Sequence, residues 1–273
     1  MRIGCCLTGS PFKLTNGRTT SDSKLDIMVS GYHTLMEAGF DYAECAVGQL
    51  LQLSEEELAE AAQLHQIGMF TVESCNCFVP GTIPLTGENP ADYVPHIREV
   101  YRRMQLVGGD TIVFGSGGAR RIPEGFDRER AKAQLDDFMR TAAEIAKEYG
   151  ITIVIEPLNS AECNVILSTT EGAEYARRVD HPNLKLLADI YHMSKENEPY
   201  EVLLENADIL RHIHVSEYPS HGYPGREDGK CVREFAEVLR RCEYDGRVTI
   251  ECYIDDFASD VNATAPFMKE VFK

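Results

Sequence analysis

The chain has 273 residues, 43% of them hydrophobic, which suits two ordinary domains or one large α/β barrel of about 250 residues with a sizeable core. A net charge of −17 repels nucleic-acid phosphates and anionic membrane surfaces and sets both aside as partners. No apolar run approaches the ~18 residues of a bilayer span, Met1–Leu7 lacks a long leader-like apolar region, and nine cysteines without a C-x-x-C pair fit reduced thiols, so a cytoplasmic location is expected.

The first strand is expected at Arg2–Leu7, followed by a polar loop and a helix over Lys24–Glu37 that stops at Gly39. Phe40–Glu44 reads as strand two, with an acid at its end. Ser54-Glu55-Glu56-Glu57 is a capping box, so a helix starts there and runs to Ile67 before Gly68. Met69–Glu73 reads as strand three, again ending in an acid. Asn89-Pro90 is taken as the cap and first-turn proline of a helix reaching Val107. Thr111–Phe114 is strand four, with Gly115–Gly118 as its exit turn. A helix capped by Asp127 continues to Tyr149, with Gly150 as its left-handed terminator. Strand five is Thr152–Glu156, a helix starts near Thr169, strand six is Leu184–Asp189, and a helix covers Tyr200–Ala207. Strand seven is Ile209–Val215, a helix reaches Arg241, strand eight is Arg247–Cys252, and a last helix occupies Asp260–Phe272.

The recurring order is helix, Gly, apolar strand, functional residue. Strands alternating with helices at roughly 30-residue spacing give a parallel sheet with helical crossovers. Eight such units close into a (β/α)8 barrel, here a single domain over residues 1–273. An open doubly wound sheet is disfavoured, because no G-x-G-x-x-G follows the first strand.

In such a barrel the C-terminal strand ends converge on one mouth. Strand alternation puts Thr152, Val154 and Glu156 on one face, and does the same for Lys185, Leu187 and Asp189, for His212 and His214, and for Thr249 and Glu251. Glu156, Asp189, His214 and Glu251 are therefore expected to meet around one divalent ion, with His214 preferred to His212 because it lies nearer the strand end. Three carboxylates and an imidazole suit Mn²⁺ first, with Mg²⁺, Co²⁺ or Zn²⁺ as alternatives. Glu44 and Glu73, as strand ends, are weighed as mouth-lining substrate contacts against loop anchors. The glycine-rich turn and arginines of Gly115–Arg121 are weighed as a phosphate cradle against a simple strand exit.

These segments carry a resemblance. VIEPLNSAE (Val154–Glu162), ADIYHM (Ala188–Met193), HIHVSE (His212–Glu217), TIEC (Thr249–Cys252) and FGSGGARRIPEGF (Phe114–Phe126) make most of the chain similar to the sugar phosphate isomerase/epimerase family. These are xylose isomerase-like TIM barrels, with the ketose 3-epimerases as nearest parallels. The resemblance implies that Glu156 and Glu251 are the acid/base pair as well as ligands, that Glu162 orients substrate or the catalytic carboxylate, and that His192 contacts a substrate oxygen. Where these epimerases carry an arginine, His221 or Ser220 stands, so His221 is a candidate substrate contact and the particular sugar is open.

The chemistry expected is proton abstraction α to a carbonyl through an enediolate, with two carboxylates exchanging the proton and a divalent ion polarising the carbonyl. The partner is then a small sugar or sugar phosphate, and a homo-oligomer is left open. An inosose-type dehydratase or a hydroxypyruvate-type isomerase on the same site is the first rival. An AP endonuclease IV-like repair enzyme needs further histidines on strands two to four, where Glu44, Glu73 and Gly115 stand. A non-catalytic carbohydrate-binding barrel is opposed by the intact ligand set.

Overall fold

The computed structural model describes residues 1–273. Eight parallel strands close into a barrel in sequence order: β1 (Arg2–Cys6), β2 (Tyr42–Ala46), β3 (Ser74–Asn76), β4 (Thr111–Phe114), β5 (Thr152–Ile155), β6 (Leu184–Asp189), β7 (Leu210–Val215) and β8 (Arg247–Ile250), with β8 pairing back onto β1. The long helices of the outer layer are α1 (Lys24–Ala38), α3 (Glu55–Gln66), α4 (Val94–Leu106), α6 (Arg128–Tyr149), α7 (Thr169–Val179), α9 (Lys230–Arg241) and α10 (Phe257–Phe272). A 3₁₀ turn, Tyr200–Asn206, takes the outer-layer place between β6 and β7. Three short helices, α2 (Val47–Leu51), α5 (Gly117–Arg120) and α8 (Ile190–Lys195), follow β2, β4 and β6 at the mouth; none was expected from sequence. The fold is the expected (β/α)8 TIM barrel. No helix is long and apolar enough to cross a membrane.

Local chemistry sets the helix ends. Ser23 accepts the Asp26 N–H at the start of α1, and Gly39 closes it at φ 87°. Ser54 and Glu57 form the expected reciprocal box, and Asp127 and Gly150 bracket α6. The helix placed at Asn89-Pro90 instead starts at Val94, where Asp92 accepts the Val94 N–H at 3.1 Å. The segment before it becomes a long loop that reaches the mouth.

The outer strand faces and the helices share the main apolar core. The barrel interior is divided. Val113, Val154 and Leu187 form a small dry cluster on β4–β6. The other side is hydrogen-bonded: the Tyr42 ring lies against Gly4, where a Cβ would strike it, and its hydroxyl meets Thr249 Oγ1 at 2.7 Å.

Two strand placements change the expected site. The apolar run Met69–Glu73 is not β3 but its approach, and ladder pairing starts at Ser74. Glu73 therefore lies on the N-terminal floor, not the mouth. It is bound there by Arg2 and Arg247, beside Asp110, which Arg247 also holds. Strand β2 runs two residues further than expected. A two-residue shift keeps the face but lowers the depth, so Glu44 sits wholly buried inside the barrel, beneath the mouth.

Candidate active site

The C-terminal ends of β5–β8 bring Glu156, Asp189, His214 and Glu251 together, with one ligand atom from each lying within 4.8 Å of the others. His214 Nδ1 stands 2.7 Å from Glu251 Oε2, 3.0 Å from Glu156 Oε1 and 3.8 Å from Asp189 Oδ2. Asp189 is held by its second oxygen, Oδ1, which accepts the N–H groups of Tyr191 and His192 and so caps α8. Asn76, on the end of β3, donates to Glu251 Oε1 at 2.8 Å. Gly115 gives Glu156 its space, since a Cβ there would fall on Oε2.

The electrostatics are those of a site built for a cation. Burial and the facing Glu251 charge push the Glu156 carboxyl above its ordinary value. Burial works the same way on Glu251, but the His214 imidazole outweighs it and holds that carboxyl down. Burial opposes charge on His214 too, yet Glu251 and Glu44 raise it well above an ordinary histidine. Three carboxylates focused on one imidazole nitrogen offer a hard, mostly oxygen donor set that fits a divalent ion such as Mn²⁺.

Below this cluster lies a second layer. Glu44 Oε1 faces His214 Nε2 at 3.0 Å, while Oε2 takes His212 Nε2 at 2.8 Å, Ser74 Oγ at 2.7 Å and Thr249 Oγ1 at 3.0 Å. Burial opposes ionisation of Glu44, but His214 and His212 hold it well below the usual carboxylate range. An ionised Glu44 accepts the Nε2–H of His214, so that an ion bound above would displace the Nδ1 proton and take that nitrogen's lone pair.

A cavity of about 630 Å³ opens over the cluster and is edged by Glu156, Glu251, Glu162, His192 and His221. Asn159 organises two of these, donating to Glu162 Oε1 at 2.7 Å and to His192 Nδ1 at 2.8 Å. With Nδ1 accepting, His192 carries its proton on Nε2. His221 stacks on Tyr191 with ring centroids 4.0 Å apart and bonds the Glu251 carbonyl through Nε2 at 3.2 Å. Glu44 and Glu73 are not among the cavity residues, and no Lys or Arg is. Arg120 is fully buried and donates to the carbonyls of Phe114, Glu156 and Ile166, while Arg121 donates to that of Glu162. The Gly115–Arg121 segment is thus a tight exit turn that locks strand ends, and its guanidinium groups are spent on backbone.

The profile of the xylose isomerase-like TIM barrel family matches residues 33–271. The chain belongs to that family. It is 24% identical over 229 residues to the 3-dehydro-D-guloside 4-epimerase of Escherichia coli K12, covering 81% of this chain and 85% of that one. It is 31% identical over 167 residues to a D-psicose 3-epimerase of Ruminiclostridium cellulolyticum, covering 60% of this chain and 55% of that relative's length. A crystal structure of D-psicose 3-epimerase in the presence of D-fructose superposes with a TM-score of 0.81 at 20% identity, covering 100% of this chain and 99% of that one.

Sequence reasoning missed Asn76, the His212–Glu44 layer and the apolar side of the cavity. Asn76 was hidden by the displaced third strand. Placed at Ser74–Asn76, simple alternation puts Asn76 at the mouth, one step above Ser74 on the same face.

Proposed function

We propose that the protein is a divalent-metal-dependent epimerase or isomerase of an unphosphorylated keto sugar, working by proton transfer at the carbon next to the carbonyl. The observation that carries this reading is the convergence of Glu156, Asp189, His214 and Glu251 within 4.8 Å, beneath a cavity without a single Lys or Arg. A phosphate dianion entering that cavity would meet three glutamates and no fixed cation.

When bound by these four residues, the ion supplies Lewis-acid polarisation of a carbonyl and its neighbouring hydroxyl. Glu156 and Glu251 follow β5 and β8, three strands apart in the ring, and both edge the space above the cluster. One carboxylate takes the α-proton and the other returns a proton, on the far face for epimerisation or at the adjacent carbon for isomerisation. Asn76 steadies Glu251, and Gly115 leaves room for Glu156. His192 offers an Nε2–H to a substrate oxygen, and Glu162 accepts a substrate hydroxyl while Asn159 fixes both. Similarity to epimerases of a 3-dehydro-guloside and of psicose supports a keto-sugar substrate.

The test is deuterium incorporation from D₂O, read by NMR, across ketoses, inososes and their phosphates with Mn²⁺ present. Deuterium is expected beside the carbonyl of an unphosphorylated member, and Glu156→Gln or Glu251→Gln abolishes it while circular dichroism stays unchanged. Exchange retained in both variants, or confined to phosphorylated sugars, contradicts the proposal.

A further inference from the structure

The geometry points to Asn76 as the positioning residue that holds Glu251 to a single oxygen on the ion and so keeps a place there open for substrate. This rests on the metal-centred reading above and deepens it.

The three carboxylates of the cluster follow one plan. Each turns one oxygen toward His214 Nδ1: Glu251 Oε2 at 2.7 Å, Glu156 Oε1 at 3.0 Å and Asp189 Oδ2 at 3.8 Å. Each has its other oxygen engaged elsewhere. Asp189 Oδ1 accepts the N–H groups of Tyr191 and His192, at 2.6 and 3.1 Å. Glu156 Oε2 lies against Gly115, in the space a Cβ would take. Glu251 Oε1 accepts the Asn76 amide at 2.8 Å. Only this last restraint comes from a side chain, so only it is removed by substitution without disturbing the main chain.

Coordination number makes the restraint matter. A carboxylate binds a hard cation through one oxygen or through both. Mn²⁺ and Mg²⁺ take about six donors in an octahedral array. One atom from each of the four residues leaves about two positions. A carbonyl and its neighbouring hydroxyl need both. If Glu251 Oε1 swung in beside Oε2, one of those positions would be filled by protein and the substrate would lose its chelate.

Asn76 is placed for that task. It is the last residue of β3 and pairs with Ala46 of β2, so its backbone belongs to the barrel and not to a loop. The direction of its amide is fixed as well. Nδ2 also reaches Cys6 Sγ at 3.4 Å, and the reversed amide would set Oδ1 against a carboxylate oxygen, acceptor facing acceptor. Stability does not explain the residue. Asn76 is only 6% exposed, yet its Oδ1 has no partner. A buried acceptor left unpaired is a cost that leucine, branched at the same carbon, does not carry. What leucine lacks is the N–H aimed at Glu251.

Water-proton relaxation on the Mn²⁺-loaded protein reads the open positions without substrate, because the enhancement scales with the waters exchanging on the ion. Asp189→Asn, which should lose tight Mn²⁺ binding, marks the signal as that of the cluster. In Asn76→Leu the enhancement per bound ion is expected to fall by about half, while the calorimetric Mn²⁺ affinity stays within about twofold of wild type or tightens. If circular dichroism shows Asn76→Leu unfolded, Asn76→Ala replaces it with the same expected fall. An unchanged enhancement in the folded variant overturns the role. So does a higher enhancement with affinity lowered at least about tenfold, which would mean that Asn76 merely keeps Glu251 on the ion. The wild type separates this idea from the reading beneath it. No enhancement in wild type removes the metal reading and the role of Asn76 together, whereas a wild-type enhancement that the variant leaves unchanged removes the role alone.

Discussion

Glu44→Gln is the most revealing single change, because it alters charge and not volume. The native carboxylate accepts four donors: His214 on Oε1, and His212, Ser74 and Thr249 on Oε2. A carboxamide offers one oxygen and one NH₂. If its oxygen keeps the three donors, the NH₂ points at His214 Nε2. That orientation drives the imidazole proton onto Nδ1, the atom that faces Glu156, Asp189 and Glu251. The opposite orientation sets NH₂ against three donors and is worse. Loss of one charge-assisted bond to a buried imidazole costs about 1.5–3 kcal/mol, and removing the partner of a metal-ligating histidine weakens metal binding about 10–100-fold. Calorimetric titration of the metal-free variant with Mn²⁺ should show that loss, and the Mn²⁺ EPR signal of free ion should persist to higher protein concentration. An affinity within twofold of wild type, in a variant with native circular dichroism, would refute the layered arrangement.

Three further outcomes follow from the structure. Gly115→Ala puts a methyl group on Glu156 Oε2, so the exchange rate should fall at least about tenfold with little change in melting temperature; an unchanged rate contradicts the placement of that carboxylate. Arg120→Met takes a donor from three carbonyls, of which those of Phe114 and Ile166 keep the N–H groups of Glu156 and Leu158, and should cost about 2 kcal/mol, read as a drop of roughly 4–8 °C by scanning fluorimetry; a shift under about 2 °C would show that the Glu156 carbonyl finds another donor. The floor network gives a pH signature. Burial opposes charge on Glu73 and Asp110, but Arg2 and Arg247 hold Glu73 below its usual value and Arg247 holds Asp110 below its own. A group lowered in the folded state stabilises above its unfolded value of about 4 and loses that contribution as pH falls below it. Arg247→Met should therefore be less stable at pH 7 and show a flatter loss of stability in acid than wild type; parallel acid limbs contradict the assignment.

What could be read from sequence was the part written in long, well-punctuated runs. Strands β4 and β6 were placed at Thr111–Phe114 and Leu184–Asp189, where the structure has them, because apolar runs there are bounded by polar turns. Strand β3 was not, because Ser74-Cys75-Asn76 carries no apolar pattern while the preceding Phe70 and Val72 do. Those two are buried by packing outside the ladder, and apolar periodicity does not distinguish approach from strand. That one displacement sent Glu73 to the wrong end of the barrel and concealed Asn76. Glu44 was seen on the correct face but a layer too high, since alternation reports face and not depth. The four-residue cluster was legible because each member ends a recognisable strand. The apolar side of the cavity, with Leu51 and Val79, was not, because it comes from a short helix and a loop that meet only after the barrel closes.

The central claim is that one divalent ion, held by Glu156, Asp189, His214 and Glu251, organises proton transfer. Titrating metal-free protein with Mn²⁺ while following deuterium incorporation into the substrate tests both halves together. The rate should rise from the baseline in proportion to added metal and break at one equivalent per chain. A rate independent of metal, or a break at any other stoichiometry, would contradict the account.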